Sequence, residues 1–258
     1  MIQNLTGREK QVLDLLVDEE GISVTEMGKR LGVSAVTVRS VLNALSEKGV
    51  IVRTWGGATP AFHPEILERQ RTNHEIKARL AAKAAEMVQD GDAIMVEAGT
   101  TTSQIGRFLF GKRDLHVVTN STLFVAYGRA NPALQVTVVG GSFQPVTESL
   151  VGPIALRELD QFHVRLAFVG SDGFSVAEGA TAHLVEGAEI VRKMTERADR
   201  AILLADSSKY NRHGFARVLD LHTFSMIISD TDLAPEAQAE LREAGIELCL
   251  VERRKNGK

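Results

Sequence analysis

A single cysteine, Cys249, stands in a chain of 258 residues, so no intramolecular disulfide can form and a reducing compartment is expected. Cys249 lies in the apolar run 246–251 and reads as a buried structural thiol. Nowhere do about 18 apolar residues run together, which leaves no helix to cross a bilayer. The opening Met1, Ile2, Gln3 and Asn4 have no basic stretch followed by an apolar one, so no secretory signal and a cytoplasmic location are expected. Also missing are a Gly-x-Gly-x-x-Gly turn, a phosphate-loop lysine motif and a Gly-x-Ser-x-Gly elbow. Nucleotide cofactors and a hydrolase nucleophile are therefore unsupported. The seven histidines are scattered, with no helical pairing and no cysteine pair beside them, so neither metal nor other cofactor is expected. His183 with Glu186 reads as a surface polar contact.

Excess positive charge is lacking too: the formal net charge is -3. Its distribution matters more than its total, because screening confines a charge to about 8–10 Å at physiological salt. Residues 27–53 hold Lys29, Arg30, Arg39, Lys48 and Arg53 against Glu47 alone. Residues 1–26 hold Arg8 and Lys10 against Glu9, Asp14, Asp18, Glu19, Glu20 and Glu26. The first sixty residues are thus polarised, with a basic second half.

What is present begins with helix caps. Thr6 and Glu9 form a capping box before the stripe Val12, Leu13, Leu15, Leu16. Ser23 and Glu26 open a second helix carrying Met27 and Leu31, and Gly32 suits its end. Ser34 caps a third helix running to Lys48, with Gly49 as the stop. At about 100° per residue Val38, Val41, Leu42 and Leu45 face a core. Val36, Arg39, Ser40 and Asn43 fall on the opposite side, with Ser34 and Thr37 near the amino end. Small polar side chains around one arginine suit a helix that enters a major groove, where Arg39 can reach a guanine edge or a phosphate. The β-rich run 50–58, broken at Gly56-Gly57, reads as a wing hairpin whose Arg53 can touch phosphate. The expected DNA contacts are Ser34, Val36, Thr37, Arg39, Ser40, Asn43 and Arg53; the competing reading is a generic three-helix protein-binding module.

Residues 59–74 carry two prolines and mixed charge, as a linker should. The expected organisation is a winged helix-turn-helix domain at 1–58, a linker at 59–74 and an α/β domain at 75–258. Arg69, Arg71, Lys77, Arg79 and Lys83 read as a solvated helix face. From 93 onward, apolar strand-like runs (93–97, 115–119, 135–139, 166–170, 201–205, 225–229, 246–251) alternate with helical stretches. That pattern predicts a mainly parallel sheet covered on both faces. The segments after the first five strands hold glycines, hydroxyls, amides, acids and one lysine, and in a parallel sheet they share one edge. An anionic, polyhydroxylated ligand is expected there. Its candidate contacts are Glu97, Gly99, Thr100, Thr101, Thr102, Asn120, Gly140, Gly141, Asp172, Asp206 and Lys209.

The run Gly32-Val33-Ser34-Ala35-Val36-Thr37-Val38-Arg39, followed by Leu42, Leu45, Gly49, Arg53 and Gly56-Gly57-Ala58, resembles the DNA-binding domain of DeoR-type repressors. Ser40 and Val41 depart from it, since an arginine and an aspartate usually follow the Arg39 position. Glu97-Ala98-Gly99-Thr100-Thr101, Thr119-Asn120, Gly140-Gly141, Phe168-Val169-Gly170 and Asp206-Ser207-Ser208-Lys209 resemble the effector domain of the same family, which is related in fold to phosphosugar isomerases and deaminases. Glu97 again departs, standing where aspartate is usual. The resemblance implies a non-enzymatic repressor of a sugar or sugar-alcohol operon, binding operator DNA and a phosphorylated effector as a dimer or tetramer. A sugar-phosphate isomerase or deaminase fused to a DNA-binding domain stays open at this point, with Glu97, Asp172 or Asp206 as the base. A scaffold that binds no nucleic acid is the third alternative.

Overall fold

The computed structural model describes residues 5–19 and 21–253. Met1 to Asn4, where no secretory signal is expected, and the outer limits of the two expected domains lie outside the described residues. Contacts divide the chain into two units, Met1–Thr72 and Asn73–Lys258.

The first unit builds its helices as the caps dictate. In α1 (Gly7–Asp18) the capping box of Thr6 and Glu9 is complete. Helix α2 (Val24–Leu31) is capped by Ser23 and ends on Gly32 at φ 62, the left-handed conformation that favours glycine. Glu26 does not return the bond to Ser23; its carboxylate meets Arg30 Nε at 3.4 Å instead. Helix α3 (Ala35–Glu47) is capped by Ser34, and a hairpin follows: β1 (Ile51–Thr54) with β2 (Gly57–Pro60), Thr54 opposite Gly57. Val12, Leu13, Leu16, Met27, Val38, Leu42 and Leu45 are buried together. Each such side chain contributes about 1.5–3 kcal/mol of burial energy. Glu9 joins α1 to α3: its two carboxylate oxygens receive Lys48 Nζ at 2.7 and 2.8 Å. That bond, more than any other influence, holds the Glu9 carboxyl below the usual range.

The stretch expected as a linker is structured. Ala61 N donates to Val50 O at 2.9 Å, and α4 (Pro64–Arg71) starts on its proline. Leu67 is buried in the same core as α1–α3, and Arg71 meets Asp14 at 2.8 Å. The prolines misled because Pro60 closes a strand and Pro64 occupies the first helical position, where its missing N–H is harmless. The first unit therefore continues to Thr72 rather than ending at 58.

The second unit opens with α5 (His74–Glu86) and β3 (Ala93–Val96). A 3-10 segment (Thr102–Phe108), β4 (Leu115–Thr119), α6 (Val125–Ala130) and β5 (Leu134–Val138) follow. A hairpin, β6 (Ser142–Gln144) and β7 (Ser149–Val151), leads to α7 (Pro153–Leu159) and β8 (Val164–Gly170). Next come β9 (Gly173–Ser175), β10 (Gly179–Ala182), α8 (Val185–Glu196) and β11 (Ala198–Leu204). A 3-10 turn (Ser207–Lys209), β12 (Ala216–Leu219), β13 (Met226–Asp230), α9 (Pro235–Glu243) and β14 (Leu248–Val251) complete it.

Seven of these strands form one parallel sheet in the order β14-β13-β11-β8-β3-β4-β5. The period-two alternation of strand side chains sends Ile94, Val96 and Phe168 to one face, under α5 and the first 3-10 segment. Met95, Ala167 and Val169 go to the other, with Ile190 and Met194 of α8. Arg165 and Asp92 are joined at the opposite end of the sheet from the strand tips, Arg165 Nε lying 2.7 Å from Asp92 Oδ1. A small antiparallel sheet, β12-β10-β9, stands apart. Cys249 is half-buried rather than buried, because β14 is an edge strand with every residue partly open.

The decisive feature is where the winding reverses. From β3 the chain goes outward through β4 to β5, then returns to β8 on the other side of β3 and proceeds to β14. The carboxyl tips of β3 and β8 flank that reversal, which is where open α/β sheets leave a crevice for ligands.

Candidate functional sites

On the first unit, Ser34, Val36, Thr37, Arg39, Ser40, Asn43 and Arg53 are all exposed. Their duties differ. Ser34 Oγ accepts Thr37 N at 3.2 Å and lies 3.0 Å from Thr37 Oγ1, so both hydroxyls serve the cap. Arg53 Nη1 donates to Asn43 Oδ1 at 2.9 Å, tying hairpin to helix. Among the described residues Arg39 makes no ion pair, and with Val36 and Ser40 it remains open. The basic patch is weaker than its residues suggest. Lys48 is held by Glu9, Arg30 by Glu19 at 2.6 Å and Lys29 by Glu26 at 3.9 Å. The acidic first half of the unit offsets much of the basic second half through these pairs, leaving Arg39 and Arg53, the latter bonded to the uncharged Asn43, to carry the local charge.

On the second unit, Glu97 follows β3 and reaches across the reversal point: its Oε2 accepts Gly170 N at 3.1 Å. Gly99 must stay small, because a Cβ there would stand 2.8 Å from Thr102 Oγ1 and 3.3 Å from Glu97 Oε2. Thr102 is fully buried and spends its hydroxyl on Glu97 O (2.7 Å) and Gly99 O (3.2 Å), shaping the loop. Asn120 is a second clamp, accepting Ala98 N at 2.8 Å and donating to Leu150 O at 3.2 Å. Thr100 and Thr101 remain between these clamps, both buried.

Around them stand the other expected contacts. Asp172 Oδ2 accepts His183 N at 2.9 Å, which ties β8's loop to that of β10. Lys209 Nζ donates to Ser171 O, beside Asp172. Gly140 N donates to Glu158 Oε2 at 2.5 Å, and a Cβ on Gly141 would meet Val151 O at 2.5 Å; both glycines serve the closure of the hairpin. Asp206 accepts from Asn73 Nδ2 at 3.0 Å and Ser208 N at 3.1 Å, and also from the Ser208 hydroxyl. Of the eleven expected contacts, Glu97, Thr102, Asn120, Gly140, Gly141, Asp172, Asp206 and Lys209 thus each take part in building the loops.

Three residues were missed. Lys77, read as part of a solvated face, is buried, and its Nζ donates to Thr100 Oγ1 at 3.1 Å. The signal was available: Lys77 precedes Leu80, Ala81 and Ala84 at helical spacing, so it lies on the buried stripe of α5. Ser171 and Gln104 are buried with Ser171 Oγ and Gln104 Oε1 lacking partners. Buried polar atoms of this kind are satisfied in most proteins, so these two mark a site able to receive a polar molecule.

Residues 8–61 match the DeoR-like helix-turn-helix domain and residues 72–231 the DeoR C terminal sensor domain. The chain belongs to the DeoR family. Full-length relatives agree. A candidate aga operon transcriptional repressor of Escherichia coli O157:H7 is 30% identical over 97% of this chain and 95% of its own. The transcriptional regulator GlpR of Haloferax volcanii is 29% identical, covering 93% of this chain and 95% of its own. The transcriptional repressor GlcR of Bacillus subtilis is 30% identical, covering 93% and 94%. Among solved structures, ribose 5-phosphate isomerase A of Methanocaldococcus jannaschii aligns at 16% identity with a TM-score of 0.40, covering 54% of this chain and 55% of that one. This DeoR-family chain is a DNA-binding transcriptional regulator, not an enzyme, with its helix-turn-helix in the first unit and its sensor domain in the second. No helix among the described residues is long and apolar enough to cross a membrane.

Proposed function

We propose that this regulator is a cytoplasmic repressor of a sugar or sugar-alcohol operon, released from its operator by a phosphorylated form of that sugar. The observation that carries the reading is a pair of buried side-chain atoms that find no hydrogen-bond partner: Ser171 Oγ after β8, and Oε1 of Gln104, whose amide donates to Thr100 O in the loop where Lys77 also meets Thr100. Buried polar atoms are satisfied in most proteins, and a phosphoryl group beside Thr100 and Thr101, within reach of the Lys77 ammonium, supplies polar contacts at this loop. Lys209 offers a second cation, while Glu97, Asp172 and the Ser171 hydroxyl suit sugar hydroxyls. On the first unit, α3 enters the major groove with Arg39 on a base edge or phosphate. Two copies within a dimer or tetramer address half-sites about 34 Å apart or a multiple of that.

Coupling follows from chain order. Asn73, the first residue of the sensor unit, binds Asp206 and Ser208, in the loop that ends on Lys209. A ligand that draws Lys209 towards its phosphate moves that loop, and with it the residue at which the chain enters from α4. Differential ligand affinity between the two positions, of about 1–3 kcal/mol, is enough to alter operator binding.

The test is a thermal-shift panel of phosphorylated sugars, followed by operator binding with and without any hit. A ligand at 100 times its Kd stabilises its site by about 2.7 kcal/mol. Stabilisation by unphosphorylated sugars alone, or a hit that leaves operator affinity unaltered, would sink the reading.

A further inference from the structure

Among the described residues of the first unit, the large apolar side chains that stand in solvent are Val36, Val52 and Trp55. None lies on α1, α2 or α4. Val36 is on the open face of α3, Val52 is on β1, and Trp55 occupies the two-residue turn between Thr54 and Gly57. Trp55 is completely exposed. The turn is held: Gly56 adopts φ 84, and a Cβ on Gly57 would already stand 3.3 Å from Ile22 O. The hairpin is in turn bound to α3 by Arg53 and Asn43 at 2.9 Å. The indole is therefore presented by a fixed turn, on the element joined to the DNA-reading helix, and is fully open to solvent among the described residues.

We infer that Trp55 is a DNA-contacting residue that enters the minor groove beside the major groove occupied by α3, and that it contributes sequence preference there. The occupant is duplex DNA for two reasons. The surface is continuous with the open face of α3 through the Arg53–Asn43 bond, and Arg53 places a guanidinium two residues before the indole. An exposed indole loses solvent-facing apolar area against deoxyribose and base edges, and apolar side chains in the minor groove favour steps that open easily. The guanine amino group obstructs that groove, so the contact prefers A·T over G·C pairs. Val36, on the helix, is suited to a thymine methyl in the major groove.

Trp55 is the chain's single tryptophan, so its fluorescence reports on this residue alone. The full chain is titrated with a duplex selected in vitro on the wild-type protein. Saturating duplex shifts the emission and shields the indole from iodide. W55A, whose truncation touches no core residue, weakens binding about ten-fold, as loss of a buried interface aromatic does, and W55F falls between. Replacing G·C by inosine·C in the flanks strips the minor-groove amino group, so it raises wild-type affinity and leaves W55A unaffected. An indole as open to iodide on saturating DNA as off it would overturn the inference, and so would wild-type affinity in W55A. Equal response of both chains to inosine would overturn the groove assignment. Shielding that tracks protein concentration without DNA would give the surface to a second copy instead.

Discussion

Asn73 and Asp206 are joined by a 3.0 Å hydrogen bond across 133 positions of sequence. Asn73 caps α5 in the left-handed conformation at φ 54, makes no capping bond to the helix and turns its amide to the loop carrying Lys209. Asparagine tolerates that backbone better than most residues. Asn73→Gly keeps the conformation and removes the amide. The expected result is operator affinity within a few-fold of wild type, with the response to sugar phosphate lost. A full response in the variant, measured by fluorescence anisotropy of labelled operator, places the coupling elsewhere.

Lys77→Met removes the buried charge while keeping the volume of the stem. Apo stability should change little, because the cost of holding an ammonium in a buried site offsets the loss of its bond to Thr100. The thermal shift given by the phosphorylated effector should vanish, and operator binding should survive. A large drop in apo Tm with the ligand shift retained would mean that Lys77 supports α5 and the loop, not the phosphate.

Much of this molecule could be read in one dimension because its signals are local. The helices of the first unit announce themselves through Thr6, Ser23, Ser34 and the glycines after them, and each cap bond spans three residues. The parallel sheet was legible because strands buried on both faces are apolar throughout. What stayed hidden depends on partners distant in sequence. Lys48 looked available until Glu9, 39 positions earlier, took its charge. Lys77 looks solvated in sequence, but Thr100, 23 positions later, lies against it. The hairpin β6–β7 and the strands β9, β10 and β12 were missed because they have three or four residues each, too few to show a period. The loop bonds of Asp206 and Asn120 were equally hidden, because acids and amides serve loops and ligands alike.

Arg39→Ala tests how α3 reads sequence. If the guanidinium grips a guanine bidentately, the loss is about 1–3 kcal/mol, confined to duplexes that carry that guanine. Arg39→Lys then restores little, because a point charge cannot replace the fork. Equal losses on every duplex, with a shallower salt dependence, would make Arg39 a phosphate contact. Binding to a panel of single-base variants at two salt concentrations separates these outcomes.

Glu148 supplies a pH-dependent test of the loops around the crevice. Its carboxyl is buried at the end of the hairpin turn, and Thr122 N and Oγ1 donate to its backbone carbonyl at 3.0 and 2.9 Å. The Thr122 hydroxyl also reaches Glu148 Oε2. Burial pushes the carboxyl above its usual range, and the threonine offsets this only in part. A folded-state pKa raised above the unfolded one means that the folded chain holds this proton more tightly. Below the unfolded value both states are protonated and the group costs nothing. As pH rises through the interval between the two values, the folded state comes to bear a buried charge that the unfolded state carries in water. The penalty is complete above the folded value. Glu148→Gln keeps an acceptor for Thr122 and never ionises, so it should raise Tm at pH 7 by about 1–3 °C, the scale of a sub-kcal change in a chain of this size. Below the carboxylate range the two chains should melt together. A gain that persists unchanged in acid would mean that the charge of Glu148 is not its source.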